Sequence, residues 1–311
     1  MNNENVLPAI VISVDFEMRW GVHDIYGLDI DSYRENLENV KEVVPRMLSM
    51  FSERNLRVTW ATVGALALES WDEYFSVVTD VPKYENQSLA VDSRYAEMDP
   101  DGNLYFANNL VYNIILTPGQ EMGSHSFSHL YFREKGVTAD DFIKDSVLVK
   151  KIMDEKFDIN PISYVFPKNQ SAFLSELEDN GFFIWRDNEN PWYYDANTNR
   201  TNTLTARSLR LFEGVSPWLR RSQPLEPGKV RSTMFIRFNL PDFLWKLHIH
   251  RIKHEILNLS NNDVFHIWWH PHNLGYDLQK RLHRLENVLD FIANSCAFSG
   301  IQSCNMSDVA I

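Results

Sequence analysis

The chain has 311 residues, and its 30 Lys+Arg against 42 Asp+Glu leave a net charge of −12. An acidic chain without a basic run is unsuited to nucleic acid as its main partner, because phosphate binding needs clustered cations. Apolar residues make up 44% and charged residues 23%, which excludes a disordered chain, and the 9 Trp supply both core and sugar-stacking surface.

Two cysteines, Cys296 and Cys304, are too few for a disulfide framework and point to a reducing compartment. The segment MNNENVLPAIVISVDFE has no basic start, is interrupted by Pro8 and ends in acids, so it does not read as a signal peptide. No window approaches the ~18 uninterrupted apolar residues of a membrane span. A soluble cytoplasmic protein is expected; its oligomeric state is left open.

Strand-like and helix-like segments alternate. Residues 9–15 (AIVISVD) form a β-branched run suited to a buried strand. Residues 33–54 carry Leu37, Val40, Val44, Met47, Leu48 and Phe51 at helical spacing, and 57–63 (RVTWATV) reads as a second strand. This β–α–β opening favours a parallel sheet covered by helices. Residues 66–115 are mixed and read as an insertion. Thr138, Asp140 and Asp141 cap a helix over 138–157, and a strand at 162–166 stops at Pro167. SAFLSELEDNG has helical spacing with a stop at Gly181. Residues 190–240 give no clear pattern. A helix at 242–258, a strand at 264–269, a helix at about 276–294 and a strand near 300–304 complete the chain. With no linker and no repeat, the reading is one α/β domain over 1–311, with insertions at about 66–115 and 190–262.

Four places can carry chemistry. Asp15 and Glu17 end the first strand, and period-2 alternation puts both on one face. Sites in parallel α/β sheets gather at such strand ends, although a solvated strand end has the same pattern. His125 and His129, in EMGSHSFSH, have the i, i+4 spacing that on a helix grips one metal ion. In HIWWHPH (266–272), alternation aligns His266, Trp268 and His270; a histidine at the strand end beside Trp suits a general acid with a sugar platform. His248, His250 and His254 also include an i, i+4 pair, but on a basic helix without a nearby strand-end carboxylate they read as a solvated face. A further stretch, 205–231, holds Arg207, Arg210, Arg220, Arg221, Lys229 and Arg231 against Glu213 and Glu226. It suits a phosphate clamp for a nucleotide- or lipid-diphosphate sugar, or peripheral contact with an anionic membrane near Trp218, against the plainer reading of a mixed solvent face. No G-x-S-x-G elbow, GxGxxG or GxxxxGK[ST] loop, or CxxC pair occurs.

In order and spacing, SVDFE (13–17), VTWATVG (58–64), GQEMGSHSFSH (119–129), YVFPKNQ (164–170) and HIWWHPH (266–272) resemble the motifs of the polysaccharide deacetylase family with the NodB-homology domain. The resemblance spans roughly 9–305 and implies an incomplete, distorted (β/α) barrel. It implies Asp15 as catalytic base, His125 and His129 as metal ligands and His270 as general acid. The family's usual second Asp is replaced by Phe16, so the resemblance leaves Glu17 as the carboxylate ligand, as in branches that place it two residues on. The implied cofactor is one divalent ion: Zn suits His₂-carboxylate, and Co, Mn or Ni fit comparable ligands. Lys168 is expected to hold Asp15 or the substrate, with Trp20, Trp268, Trp269 and His272 as further substrate contacts and His272 as a reserve acid.

The implied activity is metal-dependent removal of an N-acetyl or N-formyl group from an amino sugar. For a cytoplasmic protein the substrate is expected to be a precursor of an O-antigen- or capsule-type surface glycan, nucleotide- or lipid-linked. The alternatives are hydrolysis of a non-sugar amide, as in allantoinase-like relatives, and an inactive glycan-binding relative.

Overall fold

The computed structural model describes residues 6–27, 29–189, 191–196, 203–216, 222–224 and 226–309. The β-branched run Ala9–Phe16 forms β1 with every residue buried, as a strand flanked by parallel neighbours requires. It is followed by β2 (Val58–Thr62), β3 (Gln120–Ser124), β4 (Ser163–Val165) and β5 (Ile184–Asp187). Next come β6 (Gln223–Pro224), β7 (Lys229–Arg231), β8 (Met234–Phe235), β9 (Asp263–Trp269) and β10 (Gln302–Cys304). The sheet runs β6-β9-β1-β2-β3-β4-β5-β7, with β10 paired to β1 and β8 to β9. All pairings from β9 through β1 to β7 are parallel.

The chain closes this sheet between β7 and β8. Ser232 donates its N–H to the Asp187 carbonyl and Thr233 donates to that of His266, both at 2.9 Å, so consecutive residues bond to β5 on one side and β9 on the other. The result is the expected distorted (β/α) barrel. Five longer helices cover it: α1 (Val40–Glu53), α2 (Ala139–Phe157), α3 (Leu204–Val215), α4 (Asp242–Leu257) and α5 (Leu278–Ser299). The α2 start is a capping box, in which Thr138 and Asp141 satisfy each other's backbone N–H.

Several expectations change. The helix anticipated over 33–54 is broken at Asn39 into Arg34–Glu38 and α1; the Asn39 amide instead donates to the Gly275 carbonyl at 2.7 Å. β5 went unread because it is four residues long and ends in charges. Within 190–262, residues 229–235 are barrel wall rather than insertion. Trp20, expected to touch substrate, is wholly buried. It lies among Trp71, Tyr74, Tyr105 and Phe106 and donates its indole N–H to the Tyr105 carbonyl, so it anchors the 66–115 segment to the barrel.

His248 is also corrected. His250 and His254 are exposed as expected, but His248 is buried, with Nδ1 donating to the Gly214 carbonyl (2.6 Å) and Nε2 accepting from the Arg237 N–H (3.3 Å). Burial pushes His248 down to about 4, and burial together with the Arg186 charge pushes His266 down to about 3. In the unfolded chain both take up protons near the ordinary value of 6.5. Stability from these two groups is therefore full above that value and is lost as pH falls towards the folded values, by up to about 1.4 kcal/mol per pH unit for each. Urea midpoints should fall between pH 7 and pH 5, and His248→Gln should flatten that slope. An unchanged slope would exclude His248 as a source.

Among the described residues no helix is long and apolar enough to cross a membrane, and both cysteines are free thiols.

Candidate active site

The carboxyl end of β1 delivers the two acids as alternation requires: Asp15 and Glu17 face the barrel mouth, while Phe16 turns the other way against Trp60 (ring centroids 6.1 Å apart). Glu17 needs room that only glycine leaves. A Cβ on Gly21 would lie 2.0 Å from the Glu17 Cδ.

His125 and His129 converge on Glu17, but not from a helix. They follow β3 in a non-helical loop in which Ser126 (φ 66°) and His129 (φ 56°) take left-handed conformations. That loop is fastened from behind by Asp145 of α2, which accepts from the N–H of Phe127 (2.9 Å) and the Ser126 hydroxyl (3.0 Å). Burial raises the Asp145 carboxyl to about 7, against these hydrogen bonds. The helical spacing Phe142–Asp145–Val149 carried the signal that Asp145 faces inward.

The geometry around Glu17 fits a cation. His125 Nδ1 donates to the Val165 carbonyl at 2.7 Å, which turns Nε2 towards Glu17 Oε2 at 3.2 Å. His129 Nε2 lies 3.1 Å from the same oxygen, and its buried Nδ1 has no hydrogen-bond partner. Burial holds His129 down to about 4, outweighing Glu17, so the ring is neutral near pH 7. Burial alone would raise the Glu17 carboxyl, but the His270 charge and the hydrogen bonds from His125 and His129 hold it well below the usual carboxylate range. A carboxylate and two imidazoles, with ligand atoms all within 4.8 Å of one another, form a donor set for one divalent ion.

The other Glu17 oxygen faces His270 Nε2 (3.4 Å) and His272 Nε2 (3.7 Å). His270 Nδ1 donates to Asn273 Oδ1 at 3.2 Å, which fixes the ring with Nε2 towards both acids, 3.8 Å from Asp15 Oδ2. Burial pushes His272 down to about 3, helped by the His270 charge. Trp268 lines the same cleft of about 330 Å³, but Trp269, on the opposite strand face, is buried against Phe51 and Phe238 and cannot reach a ligand there.

Asp15 is held by a residue the sequence reading passed over. Arg186 of β5 donates to both Asp15 oxygens (2.7 and 2.6 Å), to the Ser13 hydroxyl and to Asn169, and lies 4.2 Å over the Trp268 ring. Burial opposes ionisation of Asp15, but the Arg186 and His125 charges outweigh it and hold the carboxyl below its ordinary range. Lys168, expected to hold Asp15 or the substrate, lines the cleft, where it pairs with Asp24 rather than Asp15 and lies 4.3 Å over the Tyr131 ring. The aromatic run Phe182–Trp185 after the Gly181 stop was the available sign of β5.

The basic stretch 205–231 builds no clamp among the described residues. Lys229 and Arg231 are paired with Glu226 and Asp187, Arg210 donates to the Tyr193 carbonyl, and none of the stretch lines the cleft. Trp218, Arg220 and Arg221 lie outside the described residues.

No family profile and no curated protein matches the sequence. Solved structures do match its fold. A protein of Mycobacterium smegmatis assigned as a polysaccharide deacetylase shares 15% identity, with 100% of this chain and 91% of that chain covered, at a TM-score of 0.54. One of Pseudomonas aeruginosa PAO1 with the same assignment shares 12% over 98% and 90%, at 0.56. The PuuE allantoinase shares 12% over 99% and 91%, at 0.54. Along its whole length, the chain therefore has the polysaccharide deacetylase fold, which the PuuE allantoinase shares.

Proposed function

We propose that the protein is a metal-dependent amidase that removes an N-acetyl or N-formyl group from an amino sugar, a precursor of a surface glycan. The observation that carries this reading is the meeting of Glu17, His125 and His129 with Asp15 and His270 in one cleft at the carboxyl ends of the strands. Glu17, His125 and His129 would hold a divalent ion, of which Zn suits the donors, and when bound it supplies Lewis acidity towards water and the amide carbonyl. Asp15, kept ionised by Arg186, accepts the proton of the attacking water. Arg186 thereby keeps the base charged at the cost of some basicity. His270, in its protonated form, delivers a proton from Nε2 to the departing amine, without which the amine is a poor leaving group. Asn273 keeps that nitrogen aimed inward, and Trp268 offers an apolar face for the ring. A cleft of about 330 Å³ is at the lower end of small-molecule sites and suits a monosaccharide-sized group better than a polymer.

Hydrolysis of a non-sugar amide is the second reading, supported by the fold shared with an allantoinase. A panel of N-acetyl and N-formyl amino sugars, allantoin and linear amides, given to the metal-loaded protein, separates the two. Release of acetate or formate from an amino sugar is expected, falling about 10²–10⁴-fold in His270→Ala. Turnover of allantoin alone would move the assignment to the second reading. Sugar binding without product would replace both with a glycan-binding role.

A further inference from the structure

A second cavity, of about 390 Å³, adjoins the site cleft and shares Tyr33, Phe235 and Asn273 with it as walls. Its lining includes Arg237 and Arg281 and contains no Asp or Glu. That is unusual placement in a chain of net charge −12.

Neither guanidinium has a carboxylate within 4.0 Å among the described residues. Arg237 follows β8; burial lowers its pKa, as does Arg210, with Tyr194 and Glu189 acting in the opposite direction. Its guanidinium lies over the Phe235 ring, 5.7 Å from the ring centre. Arg281, on α5, donates one N–H to the Asn273 carbonyl (2.6 Å) and lies 5.2 Å over the Tyr276 ring; burial lowers it too. Each guanidinium carries five N–H donors, so most of this donor capacity is unused. The buried arginines Arg186 and Arg251 have charged partners, Asp15 and Glu255, whereas among the described residues Arg281 has only a backbone carbonyl and Arg237 has no carboxylate within reach. A half-buried guanidinium without a counter-charge is costly, and an oxyanion supplies both the charge and the paired acceptors that its fork fits.

We infer that this cavity is an oxyanion subsite, and that the substrate carries a phosphate or carboxylate group which Arg237 and Arg281 hold while its amide lies at Glu17, His125 and His129. The inference rests on the amidase reading for the second half only; the anion site stands on the two arginines.

Calorimetric titration of the full chain with inorganic phosphate at low salt tests the site itself. Phosphate should bind, and Arg237→Gln and Arg281→Gln should each weaken it at least 10-fold, with Arg237→Lys losing less because charge is kept. Unchanged thermal midpoints show that the variants remain folded. Next, N-acetylglucosamine, its 1-phosphate and glucuronate are compared for affinity. The charged ligand of the correct class should bind at least 10-fold more tightly than the neutral sugar, and the advantage should vanish in the Arg237→Gln/Arg281→Gln double variant. An advantage for the 1-phosphate assigns the group as phosphate, and one for glucuronate assigns it as carboxylate. Phosphate binding that is the same in the unaltered and double-variant proteins would overturn the site. Arginine-dependent phosphate binding without hydrolysis of any amino sugar would keep the anion site and remove the amidase reading.

Discussion

Arg186→Ala is expected to lower stability by about 3–5 kcal/mol, the effect of stranding a buried charge. Arg186 and Asp15 are 1% and 2% exposed and are joined by two hydrogen bonds, so neither can turn to water when the other is removed. The double variant Asp15→Asn/Arg186→Ala should recover a substantial part of that loss, because the uncompensated charge is gone. Urea unfolding of the two singles and the double completes the cycle. Arg186→Ala as stable as the unaltered protein would mean that Asp15 is not carrying charge in this environment, and the base assignment would fall with it. The linkage has a definite sign: the folded Asp15 carboxyl is held below its ordinary value, so its contribution is present above the ordinary carboxylate range and is lost as pH falls through the folded value.

Metal content is the second large effect. After incubation with Zn, the unaltered protein should hold near one ion per chain, and Glu17→Ala and His125→Ala should each lose it. Removing a ligand should weaken affinity by more than the roughly 10–100-fold that follows loss of an outer partner. Gly21 makes the assignment sharper: Gly21→Ala leaves all three ligands in the sequence but occupies the space of the Glu17 carboxylate. Its expected result is intermediate affinity. No metal in the unaltered protein, even with excess Zn, would remove the metal-dependent mechanism and favour a glycan-binding role.

The residues of the site were legible to unequal degrees. Asp15 and Glu17 could be paired from sequence because a strand has a period of two, and β1 is a regular strand throughout. His125 and His129 were paired through helical spacing, yet a loop with two left-handed residues is what brings them together. The residue pair was right and the local structure was not. Alternation also separated Trp268 from Trp269, since only one of two adjacent strand residues can face the mouth. Trp20 was misplaced, and Lys168, though in the cleft, does not pair with Asp15, because nearness in sequence to a motif says nothing about where a long side chain finds its partner. The nearby acid for Lys168 is Asp24, and Trp20 is drawn into an aromatic cluster supplied by residues 71–106.

By itself, the sequence determined the alternating α/β pattern, the first strand and its two acids, the capped helix at 138–157 and the histidines that meet at the mouth. The pattern, the strand and the capped helix follow from local periodicity or short-range capping, whereas the histidines were picked out by their spacing and motif order although no helix carries them. Only the tertiary structure decided that Arg186 holds Asp15 across 171 positions, that residues 229–235 close the barrel, and that Arg237 and Arg281 line a second cavity beside the cleft. These depend on barrel closure, in which the chain passes from β7, beside β5, to β8, beside β9. Contacts between segments so far apart leave no periodic trace in the chain, because what fixes them is the shared burial of charge and apolar surface rather than local backbone preference.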